Sequence, residues 1–466
     1  MLFSPRVRDH SGSLLAKAAS LSWLLVFLGV YLAAAGHGFI KDDVVWIQNS
    51  QIHAWHDLLR VLHADNGFYR PIVSLTFAAD AWIFGTRPRG YGLTNVVLAL
   101  LCCGSIIALT RGLRLHAGAA ILAGALWALN VHGVGGSMLW ISGRTALLLT
   151  LLATASANAL VRQRMTLSAV LLLAALFAKE EAVLLPVILV GWLYARRSTT
   201  PVTLLRLAAW TTVFVAAVAL YLVARASTHA MTPFAAPASY RLTFDPGTVF
   251  SNAWHYADWS ATVSAAVTII AVLVLGRPRS IDRDARRVLA CGALWILVGF
   301  GITVFVPSRS DLYVCFPSVG ACLIAATLCQ HAWMQASAAR RPRALMAAVV
   351  LPLALSPAYC ARAGRMVAIA DLSADTLRAL PALTAGLPAG ATVVIEDDRG
   401  QRANLEAAFG TLLNEAYRVT AGRQLSLWID PAVHNADLAG LRAPCDTCVD
   451  LRLRVAHGTL EVIPGR

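Results

Sequence analysis

Three short stretches put charge where apolar sequence would otherwise run on. "FIKDDVVW" carries Lys41, Asp42 and Asp43; "LWISGR" carries Trp140, Ser142 and Arg144; "FAKEEAVLLP" carries Lys179, Glu180 and Glu181. Adjacent carboxylates can divide labour, because like charges in proximity push their pKa values apart and leave one group as base and the other as a charge holder. Lysine presents a point charge to a phosphate, arginine a bidentate fork, and a neighbouring glutamate can orient either. Each stretch also has a plain alternative: a solvated "DD" at a helix end, or a helix turn whose charges reach the membrane interface. What favours chemistry is their company, and that depends on whether the intervening elements bring them to one face.

Those elements are membrane helices. The chain has 466 residues, 58% of them hydrophobic and 14% charged, and its apolar runs approach the length of about 20 residues that crosses a hydrocarbon core. Runs lie near 21–36, 91–110, 117–134, 143–161, 166–178, 182–195, 203–224, 261–276, 288–306, 313–330 and 345–359, the fifth and sixth being short. They are continuous and rich in Leu and Ala, which predicts about 11 transmembrane helices and not barrel strands. The first run has no small-residue cleavage site leading into a soluble domain and is read as a retained helix.

The net charge of +14 is distributed as topology and not as a nucleic-acid surface. Basic residues fill every second loop: Arg6, Arg8 and Lys17, then Arg111 and Arg114, Arg162 and Arg164, Arg196 to Arg206, Arg277 to Arg287, and Arg340 to Arg343. The positive-inside rule makes these loops cytoplasmic, with residues 1–20 inside and the carboxyl terminus outside. All three charged stretches then share the outer face.

Two segments break the rhythm of the membrane region at 21–360. The outer loop 37–90 reads as interfacial helices, with Ile52, Trp55, Leu58, Leu59 and Leu62 at helical spacing and a break at Tyr69, Arg70 and Pro71. The tail 361–466 opens as a helix and continues with "TVVIEDD", "QLSLWID" and "VDLRLRVAHGTLEVIP", short β-rich runs that predict a small extracytoplasmic α/β domain. Cys445 and Cys448 in this tail are read as a structural disulfide, while Cys102, Cys103, Cys291, Cys315, Cys322 and Cys329 are buried apolar residues without metal-ligand spacing. His53, His56, Asp57 and His63 are read as the polar edge of an interfacial helix. No metal site is predicted, and a divalent metal stays open as a cofactor.

In order along the chain, "DD", "YRPIVSLTFAADAWIFGTRPRGYGLTNVVLALL", "LWISGRTALL" and "FAKEEAVLLP" resemble the membrane module of the protein O-mannosyltransferases that carry tetratricopeptide repeats, and of their bacterial relatives, within the GT-C glycosyltransferase superfamily. The resemblance covers about residues 37–200, with "DLYVCFPSVG" (311–320) a looser match, and the repeats themselves are absent. It implies a multi-helix scaffold around an outward cavity that takes a polyprenyl-phosphate sugar, such as a mannosyl donor. Asp42 or Asp43 would deprotonate a hydroxyl of a protein or glycan acceptor, and the sugar would transfer with inversion. Lys179 and Arg144 would hold the phosphate, Glu180 would orient, and Tyr69, Arg70, His132 and Trp140 would line the site. The alternative is a transporter or flippase of a lipid-linked glycan. The Arg- and Ala-rich, lysine-poor composition suggests a bacterial inner membrane with the tail in the periplasm.

Overall fold

The computed structural model describes residues 10–63, 67–131, 133–196, 203–232, 236, 238–397, 403–430, 448–456 and 458–463. Its helices run in chain order as α1 (His10–Ala34), α2 (Asp43–Asn49), α3 (Trp55–His63), α4 (Pro71–Phe84), α5 (Pro88–Gly112), α6 (Ala117–Ala128), α7 (Val134–Leu139), α8 (Arg144–Val161) and α9 (Met165–Ala178). They continue as α10 (Leu185–Arg196), α11 (Leu204–Ala226), α12 (Pro246–Leu275), α13 (Arg283–Gly299), α14 (Ser318–Gln335) and α15 (Arg341–Leu383). The tail adds β1 (Thr392–Glu396), α16 (Leu405–Phe409), α17 (Leu413–Ala421), β2 (Ser426–Asp430), β3 (Leu451–Ala456) and β4 (Thr459–Val462).

Each of the eleven apolar runs coincides with a helix. Among the described residues seven helices are long and apolar enough to cross a membrane, and α4, α6 and α9 are shorter apolar helices. The chain is therefore a polytopic α-helical membrane protein with a small C-terminal α/β domain. The short helices shape it. With 14 residues in α9 and 12 in α10, at 1.5 Å per residue, they rise about 21 and 18 Å, well short of a core about 30 Å thick. Arg164 and Arg196 mark the basic ends of this pair, so the turn between them, Lys179 to Leu184, stops below the opposite surface. The 12-residue α6 stops short in the same way and hands over to the small, buried α7. These three short helices have one end each close to the charged stretches: α9 ends at Lys179, α10 follows "KEE", and α6 leads through α7 into "WISGR".

The loop that bears "FIKDD" packs against the tail domain. The 43 residues of α15 continue unbroken through Pro352 and Pro357, out of the membrane region and into the domain, where Leu372 and Leu380 join its core. The sheet has the order β2-β1-β3-β4, with β1 parallel to β2 and β3, and β3 antiparallel to β4. Central β1 buries Val393, Val394 and Ile395 in succession, as a strand with parallel neighbours on both sides should. Cys448 is disulfide-bonded, while Cys445 lies outside the described residues; Cys102, Cys103, Cys291, Cys315, Cys322 and Cys329 are free and buried, and Cys360 on α15 is free and exposed.

The domain does not hang free of the membrane part. Val44, one residue after the aspartate pair, is buried in the core of the tail domain with Leu405, Phe409 and Tyr417, and Phe39 packs against both that core and the membrane core. The Lys41 backbone N–H donates to the Ala408 carbonyl at 2.7 Å. Lys41 takes φ 49°, a left-handed conformation that a side chain adopts only when its surroundings fix it. The segment bearing the two aspartates is thus clamped between the membrane core and the tail domain.

Candidate functional site

The two adjacent aspartates have different surroundings. Asp43 is fully buried and spoken for: Oδ2 accepts from the Ile40 N–H at 3.0 Å, and Oδ1 accepts from the Ser142 N–H at 2.8 Å and its hydroxyl at 2.5 Å. This ties "FIKDD" to "WISGR" across 99 residues. Asp42 is half-buried; its Oδ2 accepts from Trp46 Nε1 at 3.2 Å, and its Oδ1 has no hydrogen-bond partner. Of the pair, Asp42 has the oxygen available to take a proton.

Both carboxyls lie outside the membrane-spanning segments, and both are raised. Burial pushes Asp43 up to about 7, the Asp42 charge adds to the rise, and the Ile40 and Ser142 hydrogen bonds oppose it. Burial raises Asp42 too, against the Trp46 hydrogen bond, the nearby Ser142 hydroxyl and the Arg70 charge. Neighbouring acids titrate as a unit, so a rate that needs the ionised pair rises with pH through an apparent value near 7. Stability moves the other way. The folded state holds this proton more tightly than the unfolded chain, so its contribution falls from the ordinary carboxylate range up to about 7 and is flat above. Replacing Ser142 by Ala removes one hydrogen bond to the ionised form and shifts the rising limb to higher pH; an unmoved pH–rate profile would sever the link between Asp43 and turnover.

Around the pair, the charges sort into two groups. In one, Arg70 forms a bidentate pair with Glu180, at 2.9 and 2.5 Å, and lies within electrostatic reach of Asp42. Beside it Lys179 pairs with Glu181 at 2.9 Å and sits 5.0 Å from the centre of the Tyr313 ring. Two cations and two anions leave this group neutral. Of the two neighbouring glutamates it is Glu181 that pairs with Lys179, while Glu180 holds Arg70. The other group is Asp311, paired with Arg362 at 3.0 Å, with Lys41 in electrostatic reach of Asp311. Lys41 is exposed, and its Nζ rests 5.2 Å from the Trp140 ring centre. Two cations and one anion make this group net positive. Gly136 permits it, since a Cβ there would collide with the Asp311 carboxylate.

The remaining expected residues fall as follows. Arg144 is fully buried and faces away from solvent: Nη2 pairs with Asp80 at 2.7 Å and reaches the Tyr91 carbonyl at 3.2 Å, and the guanidinium lies 4.1 Å from the Phe77 ring centre. Its Nε and Nη1 have no hydrogen-bond partner, and Asp43 lies within electrostatic reach of the guanidinium. Tyr69 packs its ring against Phe177 and Tyr221. His132 lies outside the described residues. Asp57 accepts from the backbone of His53 and Ala54 on the exposed α3, and no cluster of three or more His, Cys, Asp or Glu among the described residues could hold a metal. Sequence reasoning missed Asp80, Tyr313 and Arg362 as members of these networks. Arg362 lies between the last apolar run and the helix-like opening of the tail, "MVAIADLSADTLRALPAL".

A membrane protein of many helices, with paired acids and cations gathered near a loop that packs on a small α/β domain, is the class that this architecture defines. No protein-family model matches the chain, and no curated protein matches its sequence. Among solved structures it is similar to ArnT from Cupriavidus metallidurans, a crystal structure bound to undecaprenyl phosphate, with TM-score 0.54 and 12% identity over 87% of this chain and 85% of that one. At that identity the likeness is one of fold.

Proposed function

We propose that this chain is a membrane glycosyltransferase of GT-C type, transferring a sugar from a polyprenyl-phosphate donor to a hydroxyl of a protein or glycan acceptor on the outer side of a bacterial inner membrane. The observation that carries this reading is the buried, unpartnered Asp42 Oδ1, within electrostatic reach of Arg70 and next in the chain to Lys41, which in turn reaches Asp311 and its partner Arg362. Such a transfer needs a positioned base and positive charge where the leaving phosphate gathers its own. Two further supports are the motifs around "DD", "WISGR" and "AKEE", and a fold shared with a protein whose structure holds undecaprenyl phosphate.

In this mechanism Asp42 takes the proton of the acceptor hydroxyl as its oxygen attacks the anomeric carbon. The bond from that carbon to the phosphate oxygen breaks, its electron pair leaves with the phosphate, and the new bond forms on the opposite face. Lys41 and Arg362 hold the phosphate, in place of the Arg144 of the sequence reading. Arg70 and Lys179, each tied to a glutamate, shape the site and steady the field at Asp42. Trp140, under Lys41, keeps that lysine over the site.

Proteoliposomes supplied with a polyprenyl-phosphate sugar and an acceptor extract test the reading. It predicts free polyprenyl phosphate and glycosylated acceptor in equal amounts, whereas intact lipid-linked glycan appearing in the other leaflet without release would make the chain a flippase. Lys41→Gln and Arg362→Gln are each expected to raise the donor KM about ten- to a hundredfold, the worth of one charge-assisted contact. Unchanged donor KM in both would remove the phosphate from this position.

A further inference from the structure

At the membrane face opposite this site, α1, α6, α12, α14 and α15 surround a cavity of about 620 Å³, within the range of about 300–1,000 Å³ typical of ligand pockets. Its walls are hydrocarbon: Ile121, Leu122, Val267, Ile270, Val274 and Leu351. A second, polar cavity of about 270 Å³ adjoins it and shares His116, Gln330 and Met334 with it. An apolar slot running into a polar vestibule has the shape of an amphiphile site.

The vestibule's charges decide which amphiphile. Its two acids are already engaged, Asp284 with Arg287 at 2.7 Å and Asp282 with His331 at 3.2 Å. Arg114, in the vestibule wall, and Arg341, in the slot wall, have no carboxylate partner among the described residues. The Arg341 guanidinium lies 5.6 Å from the Trp333 ring centre, and its Nε is buried with no hydrogen-bond partner. An exposed cation near a membrane face is usually just hydrated, but a guanidinium nitrogen buried at the mouth of a hydrocarbon slot lacks the water that would satisfy it. With its histidines neutral, the lining sets three arginines, Arg114, Arg287 and Arg341, against two aspartates, a surplus of one positive charge at the end of an apolar groove inside a bilayer.

We infer that this pair of cavities binds one phospholipid of net negative headgroup, its phosphate between Arg114 and Arg341 and an acyl chain in the slot between α12 and α15. The inference rests on the membrane-spanning fold alone and does not depend on the transferase reading. Its competitor is the prenyl chain of the donor lipid threading down from the outer site.

Native mass spectrometry of the full chain in mild detergent separates these, with phosphatidylglycerol, phosphatidylcholine and polyprenyl phosphate as probes. The expected result is one retained phosphatidylglycerol, preferred over phosphatidylcholine roughly ten- to thirtyfold, the worth of two arginines facing an anionic headgroup. Arg114→Gln with Arg341→Gln should bring the two lipids level, and Ala271→Trp, which fills the slot, should abolish retention of both. Should the tryptophan variant fail to fold, the arginine variant decides alone. Equal retention of the two phospholipids by the unmodified protein, an undiminished preference in the arginine variant, or displacement of phosphatidylglycerol by polyprenyl phosphate would each overturn the inference.

Discussion

Asp42→Asn is expected to lower kcat by about 10²–10⁴-fold, the usual worth of a positioned base, while leaving the protein as stable as before. The substitution is nearly isosteric, and the amide oxygen can keep the Trp46 Nε1 bond that Oδ2 now accepts. What disappears is the basic oxygen. Its neighbour behaves differently. Asp43 accepts from three donors, the Ile40 N–H, the Ser142 N–H and the Ser142 hydroxyl. An amide there would point its NH2 at one of those donors, at about 1–3 kcal/mol for the mismatch. Asp43→Asn should therefore lower the melting temperature as well as the rate. Turnover measured beside thermal unfolding checks both, and a stable, fully active Asp42→Asn protein would transfer the role of base elsewhere.

The second large effect is expected at Arg144, through stability and not through donor affinity. Arg144 and Asp80 are a buried ion pair between α8 and α4, with the guanidinium against Phe77 and Tyr91. Removing one partner strands the other charge in a low-dielectric interior, which costs about 3–5 kcal/mol, whereas replacing both by apolar groups can be neutral. Arg144→Leu alone and Asp80→Leu alone should each lower thermal stability sharply, and the double variant should recover most of the loss. The donor KM of the double variant should match that of the unmodified protein. A double variant that folds well but no longer binds donor would return Arg144 to the phosphate.

The helices were legible because a bilayer sets their length and forbids charge within them, so each apolar run from 21–36 to 345–359 has its counterpart in the structure. The pairings were not. Nothing local links Arg70 to Glu180, 110 residues apart, and "KEE" leaves either glutamate open for Lys179, where the structure pairs Glu181. An arginine in an apolar stretch has two uses, and the buried partner of Arg144, Asp80, sits 64 residues earlier in a helix that reads as plainly hydrophobic. Arg362 falls just past the last apolar run, at the opening of the tail, and its place on a helix continuous with the membrane region shows only in α15. That continuity matters for function: one rigid helix carries Arg362 at the site and Leu380 in the core that also buries Val44, so the tail domain and the base segment are held by the same element.

The central claim, that Asp42 drives transfer of a sugar from a polyprenyl phosphate, is tested most directly by single-turnover release of polyprenyl phosphate. The protein is held in lipid discs with a panel of polyprenyl-phosphate sugars, mannosyl first, with the Asp42→Asn variant alongside. The account predicts release by the unmodified protein that depends on acceptor and falls about 10²–10⁴-fold in the variant. Release at equal rates from both proteins, or none from any donor by folded protein with acceptor present, would contradict it.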